Sequence, residues 1–66
     1  MQLTINGKPV EIEQPLTIRE LLVSKGLHER IVVVEHNREI VPRDRYGDVV
    51  VVGGDNLEIV QMMAGG

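Results

Sequence analysis

The residues of this chain best suited to chemistry are the last four, Met63, Ala64, Gly65 and Gly66. Glycine has no Cβ, so two in succession make a thin, torsionally free segment. If the chain ends at Gly66, it projects as a narrow thread, about 14 Å long when extended. Such a thread enters a deep active site on another protein, and it carries a carboxylate. A carboxylate is inert to nucleophiles at neutral pH, but joined to AMP it becomes an acyl adenylate with a good leaving group. A sulfur donor then displaces AMP and leaves a thiocarboxylate on Gly66. The chain contains no cysteine, so no side chain can carry persulfide sulfur. Gly66 is the one place where carried sulfur fits.

Little else invites catalysis. His28 and His36 read as surface histidines in or beside connecting segments, with no oriented third partner. Glu35 and His36 are adjacent, so on a strand they point to opposite faces, which argues against shared metal coordination. Glu11 and Glu13 share a strand face, where acids keep an edge soluble. Gly53-Gly54 precedes a strand rather than a helix and lacks the context of a phosphate-binding loop. No catalytic residue, metal site or bound cofactor is therefore expected. The chain reads as a substrate for other enzymes.

Sixty-six residues bound the protein to one domain with a small core. Stability must come from aliphatic packing, because Tyr46 is the single aromatic residue. A net charge of −3 without a basic face or stacking aromatics excludes an ordinary nucleic-acid binder. No apolar run exceeds four residues, far short of a membrane span. Met1-Gln2-Leu3-Thr4 carries no basic leader of the signal-peptide kind. A cytoplasmic location is the expectation.

The elements that would present the thread follow from periodicity. Residues 2–13 alternate apolar and polar around Asn6-Gly7, a strong two-residue hairpin signal. Gln14-Pro15-Leu16 breaks this hairpin. Thr17 and Glu20 then form a capping box for a short helix, with Ile18, Leu21 and Leu22 on one face and Gly26 closing it. Residues 31–34 are all β-branched and read as a buried strand. Ile40-Val41 reads as a two-residue strand stopped by Pro42. Residues 43–48 are polar and anchored by Tyr46, and residues 49–52 are strand or irregular on this evidence. Gly53 to Asn56 is a turn. Residues 57–62 form the last strand, with Leu57 and Ile59 inward and Val60 and Met62 on the opposite face. The order predicts a two-layer α+β unit; if the last strand pairs in parallel with the first, both ends of the chain contribute to the sheet centre.

In this register the whole chain resembles the small sulfur carriers of thiamin biosynthesis, which have a ubiquitin-like β-grasp fold. Asn37 followed by Ile40-Val41-Pro42-Arg43 resembles the Asn-x-x-x-Val-Pro-Arg segment of that family. Gly54-Asp55 followed by Leu57-Glu58-Ile59-Val60-Gln61 resembles its final turn and strand, and the closing Gly65-Gly66 matches too. Tyr46 stands where a bulky aromatic is common, and Met62-Met63 replaces the more usual branched aliphatics. The resemblance implies a β-grasp domain over residues 1–62, with a mixed sheet of four to five strands and one main helix on one face. Residues 63–66 would be a flexible tail ending in Gly-Gly. It implies a ubiquitin-activating-like adenylating enzyme that spends ATP on Gly66 and a sulfur donor system fed by a cysteine desulfurase. Thiazole synthase would receive the sulfur. Gly65 and Ala64 would be the approach, Gly54-Asp55 would be structural, and Val60 and Met62 would belong to a partner-docking face. Two alternatives stay open: the small subunit of molybdopterin synthase or a related protein modifier, and a β-grasp interaction module with no chemistry at its tail.

Overall fold

The structure, a computed structural model, describes residues 1–62; the expected tail, residues 63–66, lies outside the described residues. Among the described residues there are seven strands: β1 (Gln2–Ile5), β2 (Lys8–Glu11), β3 (Leu16–Thr17), β4 (Val32–His36), β5 (Glu39–Ile40), β6 (Val50–Val51) and β7 (Asn56–Gln61). One helix, α1, spans Ile18–Ser24, and two 3₁₀ turns cover Glu29–Ile31 and Arg43–Arg45. The main sheet has the order β2-β1-β7-β4-β5. β7 is central, parallel to β1 and antiparallel to β4. This five-stranded mixed sheet falls within the four to five strands that the resemblance implies. Beside it, β3 and β6 form a second, two-stranded antiparallel sheet.

The hairpin turns on Asn6 (φ 53°) and Gly7 (φ 81°). Both lie in the left-handed region that a tight hairpin of this length requires. Its strands stop at Glu11, two residues short of the expected end, although Ile12 remains buried and its N–H donates to the Met1 carbonyl at 2.8 Å. Asn6 does more than turn the chain. Its side-chain amide donates to the Ile59 carbonyl at 3.1 Å and its oxygen accepts from the Ile59 N–H at 2.7 Å. The carboxamide thus imitates a peptide group and extends the short β1 along the longer β7. Asn6→Ala loses both bonds and places alanine at positive φ. It is expected to lower unfolding stability by about 2 kcal/mol in urea titrations. Asn6→Gly keeps the backbone conformation and isolates the side-chain share of that loss.

Pro9 sits on the outermost strand opposite Thr4. In a two-residue hairpin the pair next to the one flanking the turn directs its N–H groups outward. Proline therefore sacrifices no ladder bond here and removes a donor from the open edge.

The helix forms where the capping residues place it. Thr17 Oγ1 accepts from the Glu20 N–H at 3.0 Å, and Glu20 Oε1 accepts from the Thr17 N–H at 2.8 Å. At the other end, Gly26 is at φ 72°, its N–H donates to the Val23 carbonyl, and the Leu27 N–H donates to the Leu22 carbonyl. This pair of bonds closes the helix as a Schellman motif. Ile18, Leu21 and Leu22 are buried against the sheet.

Several boundaries differ from expectation. Ile31 belongs to a 3₁₀ turn, and β4 runs on through Glu35 and His36 instead of ending at Val34. Val33 is half-buried rather than buried, since alternation along β4 turns it away from the helix. β5 is Glu39–Ile40, one residue earlier than expected, because the tight turn at Asn37 (φ 51°) and Arg38 (φ 74°) sets the register His36 opposite Glu39. Pro15 does not prevent Leu16–Thr17 from pairing with Val50–Val51. That pairing decides the undetermined stretch 49–52 as partly strand. Tyr46 fills the space beneath, 2% exposed, with its hydroxyl donating to the Val32 carbonyl at 3.3 Å.

Candidate functional site

The central strand leads directly to the predicted site. Along β7, Leu57 and Ile59 are buried, while Glu58, Val60 and Gln61 are exposed. Val60 is 59% exposed and Met62 43%. The Met62 N–H donates to the Ile31 carbonyl at 2.6 Å, which ties the end of the described chain to the start of β4. Gly66, Gly65 and Ala64, the residues read as the reactive thread and its approach, lie outside the described residues.

The sheet face away from the helix is open. The register aligns Val33 with Val60, and Glu35 with both Glu58 and Ile40. Half-buried and exposed apolar and acidic side chains therefore neighbour one another across three strands. Val60, expected to point outward, is exposed, and the register sets Glu58, Glu35 and Ile40 beside it. Only the register reveals that they are neighbours.

His28 is a surface histidine as expected, whereas His36 is half-buried. His28 caps the first 3₁₀ turn, its Nδ1 accepting from the Arg30 N–H at 3.2 Å. His36, at the end of β4, has a carboxylate partner: its Nε2 lies 2.8 Å from Asp55 Oδ2. A carboxylate only accepts, so Nε2 carries the proton. Asp55 also accepts from the Val52 N–H at 2.9 Å and from the Asn37 amide at 3.3 Å. Asn37 in turn bonds Asn56 through its own N–H and its side-chain oxygen. The network joins the β4–β5 turn to the β6–β7 turn, where Gly54 adopts φ 89°. The signal was present in the turn-forming Gly54-Asp55-Asn56, but the partner lies 19 residues away. The assembly positions turns and shows no bound nucleophile geometry.

Burial pushes the Asp55 carboxyl up, while the hydrogen bonds from His36, the Val52 N–H and Asn37 pull it down more strongly. It ends below its ordinary value. A depressed carboxyl stabilises the fold at pH values above its unfolded value, and that stability fades as pH falls through the folded one. Asp55→Asn is thus expected to cost about 2 kcal/mol at neutral pH, with a smaller deficit in strong acid. Urea midpoints measured across the acid range check this.

Two open surface depressions lie among the described residues. One of about 200 Å³ is lined by His36, Ile40, Val41, Pro42, Arg45 and neighbours. That is below the size of ordinary ligand pockets. Another, about 500 Å³, is a wide opening beside Val23, Leu27 and His28. Among the described residues no group of three His, Asp or Glu side chains is placed to hold a metal ion. No described helix is long and apolar enough to cross a membrane.

Comparison with known proteins bears on the exposed strand and the closing glycines together. The profile of the ThiS family matches residues 3–66, from β1 through Gly66. This chain belongs to the ThiS family. The sulfur carrier protein ThiS of Bacillus subtilis strain 168 is 42% identical over 65 residues, covering 97% of this chain and 98% of that one. A thiazole synthase of Paramagnetospirillum magneticum AMB-1 is 44% identical over 66 residues. There the whole chain matches, but it spans only 20% of the relative's length. The crystal structure of the thiamine biosynthesis protein ThiS from Geobacter metallireducens superimposes with a TM-score of 0.86. It is 35% identical and each chain is covered completely. The ThiS fold thus accounts for the helix, the central strand and the flanking turns at once.

Proposed function

We propose that this protein is a sulfur carrier in thiamin biosynthesis and that it carries sulfur as a thiocarboxylate on Gly66. The observation that carries this reading is similarity to a sulfur carrier ThiS along nearly the full length of both chains. The acyl group of Gly66 is joined to AMP by a partner adenylating enzyme that uses ATP, with pyrophosphate released. Hydrosulfide, or a donor at the same oxidation level, adds to the acyl carbon, AMP leaves, the sulfur loses its proton, and the thiocarboxylate remains. Gly65 and Ala64 keep the approach narrow enough for a slot shaped around backbone. The chain needs no cofactor or catalytic group of its own, and it works in the cytoplasm beside these enzymes.

Thiazole synthase receives the sulfur. Support comes from relatives of that name that contain a segment similar to this entire chain. Val60 on the last strand and Met62 just after it, both exposed, form part of the docking face. Docking through these positions places the thread at the partner's active site. The test is intact-mass spectrometry after incubation with ATP, the adenylating enzyme and a sulfur donor. A mass increase matching one oxygen replaced by sulfur, localised to Gly66, is expected. An unmodified Gly66 in a mixture that does modify Bacillus subtilis ThiS overturns the reading.

A further inference from the structure

Glu35 and Glu58 stand directly opposite each other on β4 and β7, with Ile40 beyond Glu35 on β5. Like charges directly opposite on adjacent strands oppose folding. Neither carboxylate belongs to any ion pair among the described residues. The lysine of the main sheet, Lys8, is on β2, separated from β7 by β1, and lies opposite the buried Ile5 in the helix-facing register. The pair is bordered by exposed apolar side chains, Ile40 at 68% and Val60 at 59%. The isolated fold gains nothing from this arrangement. A surface of opposite charge does.

We infer that the open sheet face docks a protein surface bearing an arginine or lysine, seated between Glu35 and Glu58, with apolar side chains meeting Ile40 and Val60. A second copy of this chain is a poor occupant, because it brings the same carboxylates from a molecule of net charge −3. A basic, apolar-bordered partner neutralises the pair and covers both aliphatic side chains together. The inference rests on the carrier reading above, which makes thiazole synthase the occupant to test. It adds the charge chemistry that recognises this face.

The experiment titrates purified thiazole synthase from the same organism with wild-type chain, the double variant Glu35→Gln/Glu58→Gln, and Val60→Asp, at low and high salt. The double variant is expected to bind about tenfold more weakly. It should also show a shallower salt dependence, because exposed charge contacts are screened. Its thermal midpoint alone should rise, since the repulsion is gone. Val60→Asp should lose binding while keeping the circular dichroism spectrum of the folded chain. If Val60→Asp loses binding and the double variant binds like wild type at both salts, the cation site is overturned and the docking face stands. If neither substitution weakens a complex that wild type forms, this face is not the interface and the inference falls. If wild type forms no complex, the inference falls with its partner, while the carrier reading is still judged by the mass of Gly66.

Discussion

Deletion of Gly66 is expected to reduce sulfur transfer to background while leaving the fold intact. The two halves of this result have separate physical grounds. Chemistry requires an acyl group at a fixed reach from the docking face, and shortening the thread by one residue withdraws it about 3.5 Å. A displacement of even an ångström at a reacting centre costs about a hundredfold in rate, so a full residue should leave no measurable turnover. Stability rests elsewhere: the buried apolar side chains of the described residues run from Leu3 to Ile59. The thermal midpoint should therefore not move. Gly66→Ala keeps the reach but adds a methyl group where a slot fits backbone alone, and it is expected to lower adenylation about a hundredfold. The checks are thiocarboxylate yield by intact mass and thermal unfolding on the same preparations. Loss of the fold on deletion would assign these glycines a structural role instead.

Tyr46→Ala carries the largest expected effect on stability. A domain of 66 residues has a total stability of about 3–10 kcal/mol. Truncating a large buried aromatic typically costs about 3–5 kcal/mol. Tyr46 is the single aromatic in the chain and among its largest fully buried side chains. It lies on the segment that follows the second 3₁₀ turn, and its carbonyl accepts from the Arg19 N–H at 2.9 Å at the start of α1. The substitution is thus expected to bring the protein close to its unfolding midpoint at room temperature, seen as loss of the circular dichroism signal and a collapsed urea midpoint. Tyr46→Phe keeps the ring and loses only the bond to Val32, so about 1 kcal/mol should go. A near-neutral alanine variant would mean that the core closes over the missing ring.

How much of this was legible beforehand depends on whether the signal was local. The capping box at Thr17 and Glu20, the Gly26 stop and the Asn6-Gly7 hairpin are short-range devices, and each appears where the residues predict it. The inward Leu57 and Ile59 and outward Val60 follow from simple alternation. What could not be read was the side-chain and register detail fixed by distant pairing. Two-residue strands such as β3 and β6 have no periodicity to detect, and each exists only because the other is adjacent. Asn6 announced a turn, but its second role as a peptide mimic depends on Ile59, 53 residues later. His36 was read as a free surface histidine for want of a partner, and Asp55 supplies one only once two turns meet. For the site, Val60 and Met62 were visible as outward apolar residues. The acidic pair beside them required the register of β4 against β7.

The position of β7 has a mechanical consequence. A partner that draws the thread into its slot applies tension at the end of the described chain, at Met62. That load enters a strand held on one side by β1 and on the other by β4. Tension along such a strand acts across both ladders in shear, so many bonds must yield together rather than unzip in turn. On the carrier reading, a pull on the chain at Met62 leaves the described body intact.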